Sequence, residues 1–91
     1  MPAPDDEIRR KRLRYRAWHR GTREADLILG SFAEMYVGAF DPIGLDSFEA
    51  LLDVPDAELF DWLAGRATPP LQYETEVMRL LLAFRYIPPA T

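Results

Sequence analysis

The chain has 91 residues, no cysteine, a single histidine and a formal net charge of −4. That length fits one domain, and an apolar share of 48% is enough for a core without disulfide or metal staples. Lack of cysteine excludes disulfides, thiolate nucleophiles, zinc ribbons and iron–sulfur ligation, and His19 alone cannot make a histidine metal cluster.

The first element is a helix over residues 6–18, with Ile8, Leu13, Tyr15 and Trp18 as a thin apolar stripe among arginines. Here the net charge divides. Residues 1–23 hold eight basic residues against Asp5, Asp6 and Glu7, whereas residues 24–91 hold three basic residues against twelve acidic ones. A cationic arm on an acidic body often marks a partner surface. Three readings of the basic face stay open: a phosphate-binding comb, a solvated helix face, or a docking surface for an acidic protein groove. An extended polyanion would meet repulsion from the acidic remainder of the chain, so no nucleic acid partner is expected.

Gly21 ends the first helix, and Thr22 caps a second with Glu24 and Asp26 in its first turn. The second helix is expected to reach about Phe40, with Gly30 and Gly38 inside it; Gly30 either admits a close neighbouring helix or is simply a tolerated weakness. Asp41-Pro42-Ile43-Gly44 reads as a turn, followed by a short third helix capped by Asp46 or Ser47 and carrying Phe48, Leu51 and Leu52. Pro55 starts a fourth helix with Leu59, Phe60, Trp62 and Leu63, which Gly65 stops. Phe60 and Trp62 are two residues apart and point to different sides, so either the helix is buried all round or one ring is an exposed anchor. After a stiff Thr68-Pro69-Pro70 linker, a fifth helix is expected over residues 72–86, turning Tyr73, Val77, Leu80, Leu81 and Phe84 inward. No strand alternation or hairpin turn occurs. The expectation is an all-α fold: a small compact antiparallel bundle of about five helices, one domain over residues 1–91 with residues 1–6 and 87–91 as frayed tails.

No apolar run approaches the ~20 residues of a spanning helix. The acidic start at Asp5, Asp6 and Glu7 differs from a signal peptide or transit peptide. The expectation is no membrane insertion and a cytoplasmic location.

The candidate functional residues cluster at the first corner: Arg16, His19, Arg20, Gly21, Arg23 and Glu24. Gly21 leaves the backbone bare for close approach. Arg20 and Glu24 either form a local surface ion pair or flank that point with opposite charges. His19 could titrate near neutrality, but no nucleophile or pocket accompanies it in sequence. No catalytic or metal residue is assigned.

The stretch His19-Arg20-Gly21-Thr22-Arg23-Glu24-Ala25-Asp26-Leu27 resembles the Arg-Gly-x-x-Glu signature of the succinate dehydrogenase assembly factor family, the flavinylation factors. Asp56-Ala57-Glu58-Leu59-Phe60-Asp61-Trp62-Leu63 resembles a second segment of that family, so the likeness covers about residues 7–86. The resemblance implies a small five-helix assembly chaperone, not an enzyme. Its partner would be the flavoprotein subunit of succinate dehydrogenase, or of fumarate reductase in bacteria, and it would promote covalent attachment of FAD to a histidine of that subunit. Arg20, Gly21 and Glu24 occupy the motif positions; Arg16, His19 and Arg23 share the corner without a transferred role. Many relatives carry a second arginine where His19 stands and Met where Thr22 stands. A monomer is expected, with no stably bound cofactor and FAD carried by the partner, and the lack of a convincing presequence favours bacterial cytoplasm over the mitochondrial matrix. A small nucleic-acid-binding or generic protein-interaction module is the alternative, separable by a salt titration against short RNA and DNA.

Overall fold

The computed structural model describes residues 4–84, which form five α-helices: α1 (Pro4–Trp18), α2 (Arg23–Tyr36), α3 (Pro42–Leu52), α4 (Asp56–Leu63) and α5 (Glu76–Ala83). Single 3₁₀ turns at Val37–Ala39 and Leu71–Tyr73 complete the regular structure, and no strand occurs among the described residues.

Short polar side chains set three of the helix starts by bonding otherwise orphaned backbone N–H groups. Thr22 Oγ1 accepts from Ala25 N at 3.3 Å, Asp41 Oδ1 from Gly44 N at 2.8 Å and Thr75 Oγ1 from Met78 N at 3.1 Å. The Thr22 cap is as expected. The Asp41 cap corrects the expected turn at residues 41–44: α3 begins at Pro42, four residues before Asp46. Proline suits this position because its missing N–H would be unpaired there in any case. The Thr75 cap likewise starts α5 at Glu76 rather than at Gln72, leaving Tyr73 in the preceding 3₁₀ turn. At its other end α5 stops at Ala83, with Phe84 already extended, so the helix expected to reach residue 86 is shorter; residues 85–86 lie outside the described residues, as do residues 1–3 and 87–91 of the expected tails. Residues 4–6 belong to α1.

Helix α2 ends at Tyr36 instead of near Phe40, which places Gly38 in the 3₁₀ turn rather than inside a helix. Arg10 explains the tight ending. The residue is 7% exposed, and its guanidinium donates from Nε to the Val37 carbonyl (3.2 Å) and from Nη2 to the Phe40 carbonyl (2.7 Å). Arg10 thus ties α1 to the 3₁₀ turn that follows α2, where the Val37 carbonyl also accepts from Phe40 N at 3.2 Å. Glu7 pairs with the same guanidinium at 3.0 Å.

Contacts across the helices fix their directions. Arg10 meets Val37 and Phe40, while Trp18 donates from Nε1 to Glu34 at 3.1 Å, so α1 and α2 run antiparallel. Arg9 meets Asp46 and Glu49, Arg16 meets Asp53 and Arg20 meets Asp56, so α1 and α3 run parallel, as an up-down-up order requires. Helix α5 packs across α3 and also against α4.

Phe32 stands at the centre of the core. It is 0% exposed, and its ring lies 4.9 Å from Tyr36, 5.5 Å from Phe84, 5.6 Å from Phe48 and 6.3 Å from Phe40. Leu13, Leu29, Leu45, Leu51, Leu59 and Leu81 fill the space around this aromatic group. On α4 the Trp62 ring is buried and stacks at a tilt on Tyr73, whereas Phe60 is half-buried. Gly30 does admit a close neighbour, and that neighbour is a ring. A Cβ on Gly30 would lie 2.1 Å from Trp18 Cδ2.

Candidate partner-binding corner

Four residues, His19 to Thr22, connect α1 to α2. The reversal is made at Gly21, whose φ of +108° is a conformation that side-chain-bearing residues rarely adopt. A Cβ built there would meet no atom within 4 Å, so the glycine is needed for backbone freedom and its surface is open. Asp26, in the first turn of α2, accepts a hydrogen bond from the Arg20 backbone N at 2.6 Å and ties the corner to the helix start.

Arg20 holds this corner from below. Its Nε and Nη2 both donate to Asp56 Oδ1, at 2.9 and 2.6 Å, and Nη2 also donates to the Val54 carbonyl at 2.7 Å. Nη1 donates to the Leu52 carbonyl. The side chain is 10% exposed and crosses from the corner to the turn between α3 and α4. The alternative of a local Arg20–Glu24 ion pair is therefore corrected. The guanidinium is drawn inward because the end of α3 offers two carbonyls and the start of α4 a carboxylate, a denser acceptor set than one exposed glutamate.

The other candidate residues separate into two groups. Arg16 is paired with Asp53 at 2.6 Å, on the same side of α1 as Arg20. His19 is exposed, its ring stacked on Tyr15 with centroids 4.0 Å apart and planes 17° apart. His19 Nδ1 lies 2.7 Å from the Tyr15 carbonyl, which can only accept; Nδ1 therefore carries the proton and Nε2 is left as the second hydrogen-bonding atom. Gly21, Arg23 and Glu24 are exposed. Among the described residues Arg23 and Glu24 have no charged partner in the chain.

Two shallow depressions flank the corner and share His19. One, of about 510 Å³, is lined by Trp18, Gly21, Thr22, Arg23 and Leu27. The other, of about 490 Å³, lies between Tyr15, Arg16, Arg20, Pro55 and Asp56. Asp56 and Tyr15 belong to the site through these contacts, although the corner motif alone does not point to them. The Asp56 signal was present in the second segment, where an acid stands in the first turn of α4.

The cationic arm is also more differentiated than its composition. Arg9 bonds Asp46 at 2.6 Å and Glu49 at 2.8 Å, and those hydrogen bonds, Asp46 first, raise its pKa above the ordinary arginine value against the opposing effect of burial. Arg9, Arg10, Arg16 and Arg20 are thus engaged inside the chain. Among the described residues no group of His, Asp or Glu is placed to hold a metal ion, and no helix is long and apolar enough to cross a membrane.

The sequence matches the family described as flavinator of succinate dehydrogenase over residues 11–85. It is 40% identical over 74 residues to an FAD assembly factor SdhE of Acetobacter pasteurianus, covering 81% of this chain and 68% of that protein. It is 39% identical over 72 residues to a mitochondrial succinate dehydrogenase assembly factor 2 of Dictyostelium discoideum, covering 79% of this chain and 51% of that one. The homonymous Drosophila grimshawi protein is 36% identical over 76 residues, covering 81% of this chain and 52% of its own length. The chain therefore spans about half the length of these mitochondrial relatives. No solved structure matches it significantly. With the matched region running from α1 through α5, the chain belongs to the family of succinate dehydrogenase flavinators.

Proposed function

We propose that this protein is an assembly factor that binds the flavoprotein subunit of succinate dehydrogenase and promotes covalent attachment of FAD to it. Family membership across residues 11–85 is the observation that carries this reading. Relatives are named as assembly factors, and the family is one of chaperones rather than enzymes. The corner supplies a physical route. Gly21 lets the chain approach a crevice with no side chain in the way, Glu24 and Arg23 offer unpaired charges beside it, and Arg20 with Asp56 holds the backbone in place.

In this mechanism the bond-making belongs to FAD and the partner's own residues. The assembly factor acts by binding one conformation of the flavoprotein more tightly than others, which shifts the population toward it. It works as a monomer, binds no cofactor stably, and serves fumarate reductase flavoproteins where these carry the same surface. The bacterial cytoplasm is the proposed compartment.

The test is co-expression with a succinate dehydrogenase flavoprotein subunit, reading in-gel flavin fluorescence after denaturation. Wild-type protein raises the covalent flavin signal; Gly21→Arg and Glu24→Ala lower it while remaining folded. If folded variants still raise covalent flavin to the wild-type level, the corner is not the working surface.

A further inference from the structure

Helix α1 has two charged faces with different fates. The row Arg9, Arg16 and Arg20 faces α3 and α4, and each member is bound to a carboxylate of Asp46, Glu49, Asp53 or Asp56. The outward row, about a third of a turn round the helix and facing away from buried Leu13 and Ala17, is Ile8, Lys11, Arg12, Tyr15 and His19. At 3.6 residues per turn the four helical positions fall within an arc of roughly 100° and span about 10 Å, and His19 follows just past the end of α1. All five are exposed, Ile8 at 56% and Tyr15 at 65%, and Lys11 and Arg12 have no carboxylate partner among the described residues. An isoleucine, a tyrosine ring and two cations without a carboxylate partner form an amphipathic strip that, His19 on Tyr15 apart, no described residue covers.

We infer that this outer row of α1 is a second docking strip for an acidic segment of the flavoprotein, carrying apolar side chains that seat against Ile8 and Tyr15. The inference rests on the assembly-factor reading and extends it from the corner to the whole first helix. Two observations support this occupant. The strip is continuous with the corner, because Tyr15 and His19 belong both to the row and to the depression beside Arg20 and Asp56. Its charge is complementary to carboxylates, the groups that already bind the other face of the same helix. A compact acidic segment laid along α1 also avoids the acidic body of residues 24–91, which an anionic membrane or a nucleic acid would meet.

The experiment measures association and dissociation of purified wild-type and variant proteins with the succinate dehydrogenase flavoprotein subunit, at low salt and near ~0.5 M salt. Lys11→Glu with Arg12→Glu lowers the association rate roughly tenfold at low salt, and the difference shrinks at high salt. Ile8→Ser with Tyr15→Ser instead speeds dissociation several-fold at both salts. Circular dichroism and thermal unfolding confirm that both variants fold. If wild type binds, Gly21→Arg weakens binding and the strip variants match wild type, the strip inference fails while the assembly-factor reading stands. If wild type does not bind the flavoprotein at all, both fail. Charge reversal that abolishes self-association, RNA binding or binding to anionic vesicles, while leaving flavoprotein kinetics unchanged, assigns the strip to that occupant and overturns the inference.

Discussion

Arg20 and Asp56 meet at 2.6 Å across 36 residues of sequence, joining the α1–α2 corner to the first turn of α4. The pair binds together the two segments that carry the family likeness, one around Gly21 and one beginning at Asp56. Because the guanidinium also takes the carbonyls of Leu52 and Val54, its removal leaves several acceptors short of a donor at once.

Arg20→Met is therefore expected to destabilise the protein by about 2–4 kcal/mol, the range for breaking a partly buried, hydrogen-bonded ion pair. For a domain of this size that is a fall in Tm of roughly 10–20 °C. Asp56→Asn costs less, about 1–2 kcal/mol, since both carbonyls keep their donor. The double variant is less destabilised than the sum of the singles, as a coupled pair requires. Thermal unfolding of the three variants checks this.

Gly21→Ala tests backbone strain without collision, because a Cβ there meets nothing within 4 Å but φ is +108°. The expected cost is about 1–3 kcal/mol. Gly21→Asn recovers part of it, since asparagine tolerates positive φ better than alanine. Denaturant midpoints of the pair give the comparison; equal midpoints would refute it.

Gly30 presents the opposite case. Alanine is the better helix former by about 1 kcal/mol, but its Cβ would stand 2.1 Å from the Trp18 ring. Gly30→Ala is expected to destabilise by about 1–3 kcal/mol through overpacking. In a Trp18→Ala background the same change becomes neutral or stabilising. A double-mutant cycle measures this reversal of sign.

Phe32→Ala removes the ring around which Tyr36, Phe40, Phe48 and Phe84 are grouped. A loss of about 3–5 kcal/mol is expected, with broadened near-ultraviolet signals from the remaining aromatic residues. Glu24→Ala, by contrast, changes an exposed residue without a charged partner and shifts stability by less than about 0.5 kcal/mol. Any loss of flavoprotein binding in Glu24→Ala is then a lost contact and not a lost fold.

The helical class, the corner at Gly21 and the cap at Thr22 were determined by sequence alone, because each is local. A 3.6-residue apolar period, a residue free to adopt positive φ and a hydroxyl within reach of a backbone N–H act over a few positions. Boundaries were less legible where two local signals competed. Asp41-Pro42 suits a turn and a helix start equally, and the packing of Phe48 and Leu45 against the core favours the helix. The fate of each arginine was decided only by the tertiary structure. Arg9, Arg16 and Arg20 find their carboxylates 36 to 40 residues away, and Arg12 finds none among the described residues, although all four look alike in sequence. Which cation is a strut and which is a free surface charge depends on the face of α1 that docks against α3 and α4, and that docking is set by burial of the apolar core.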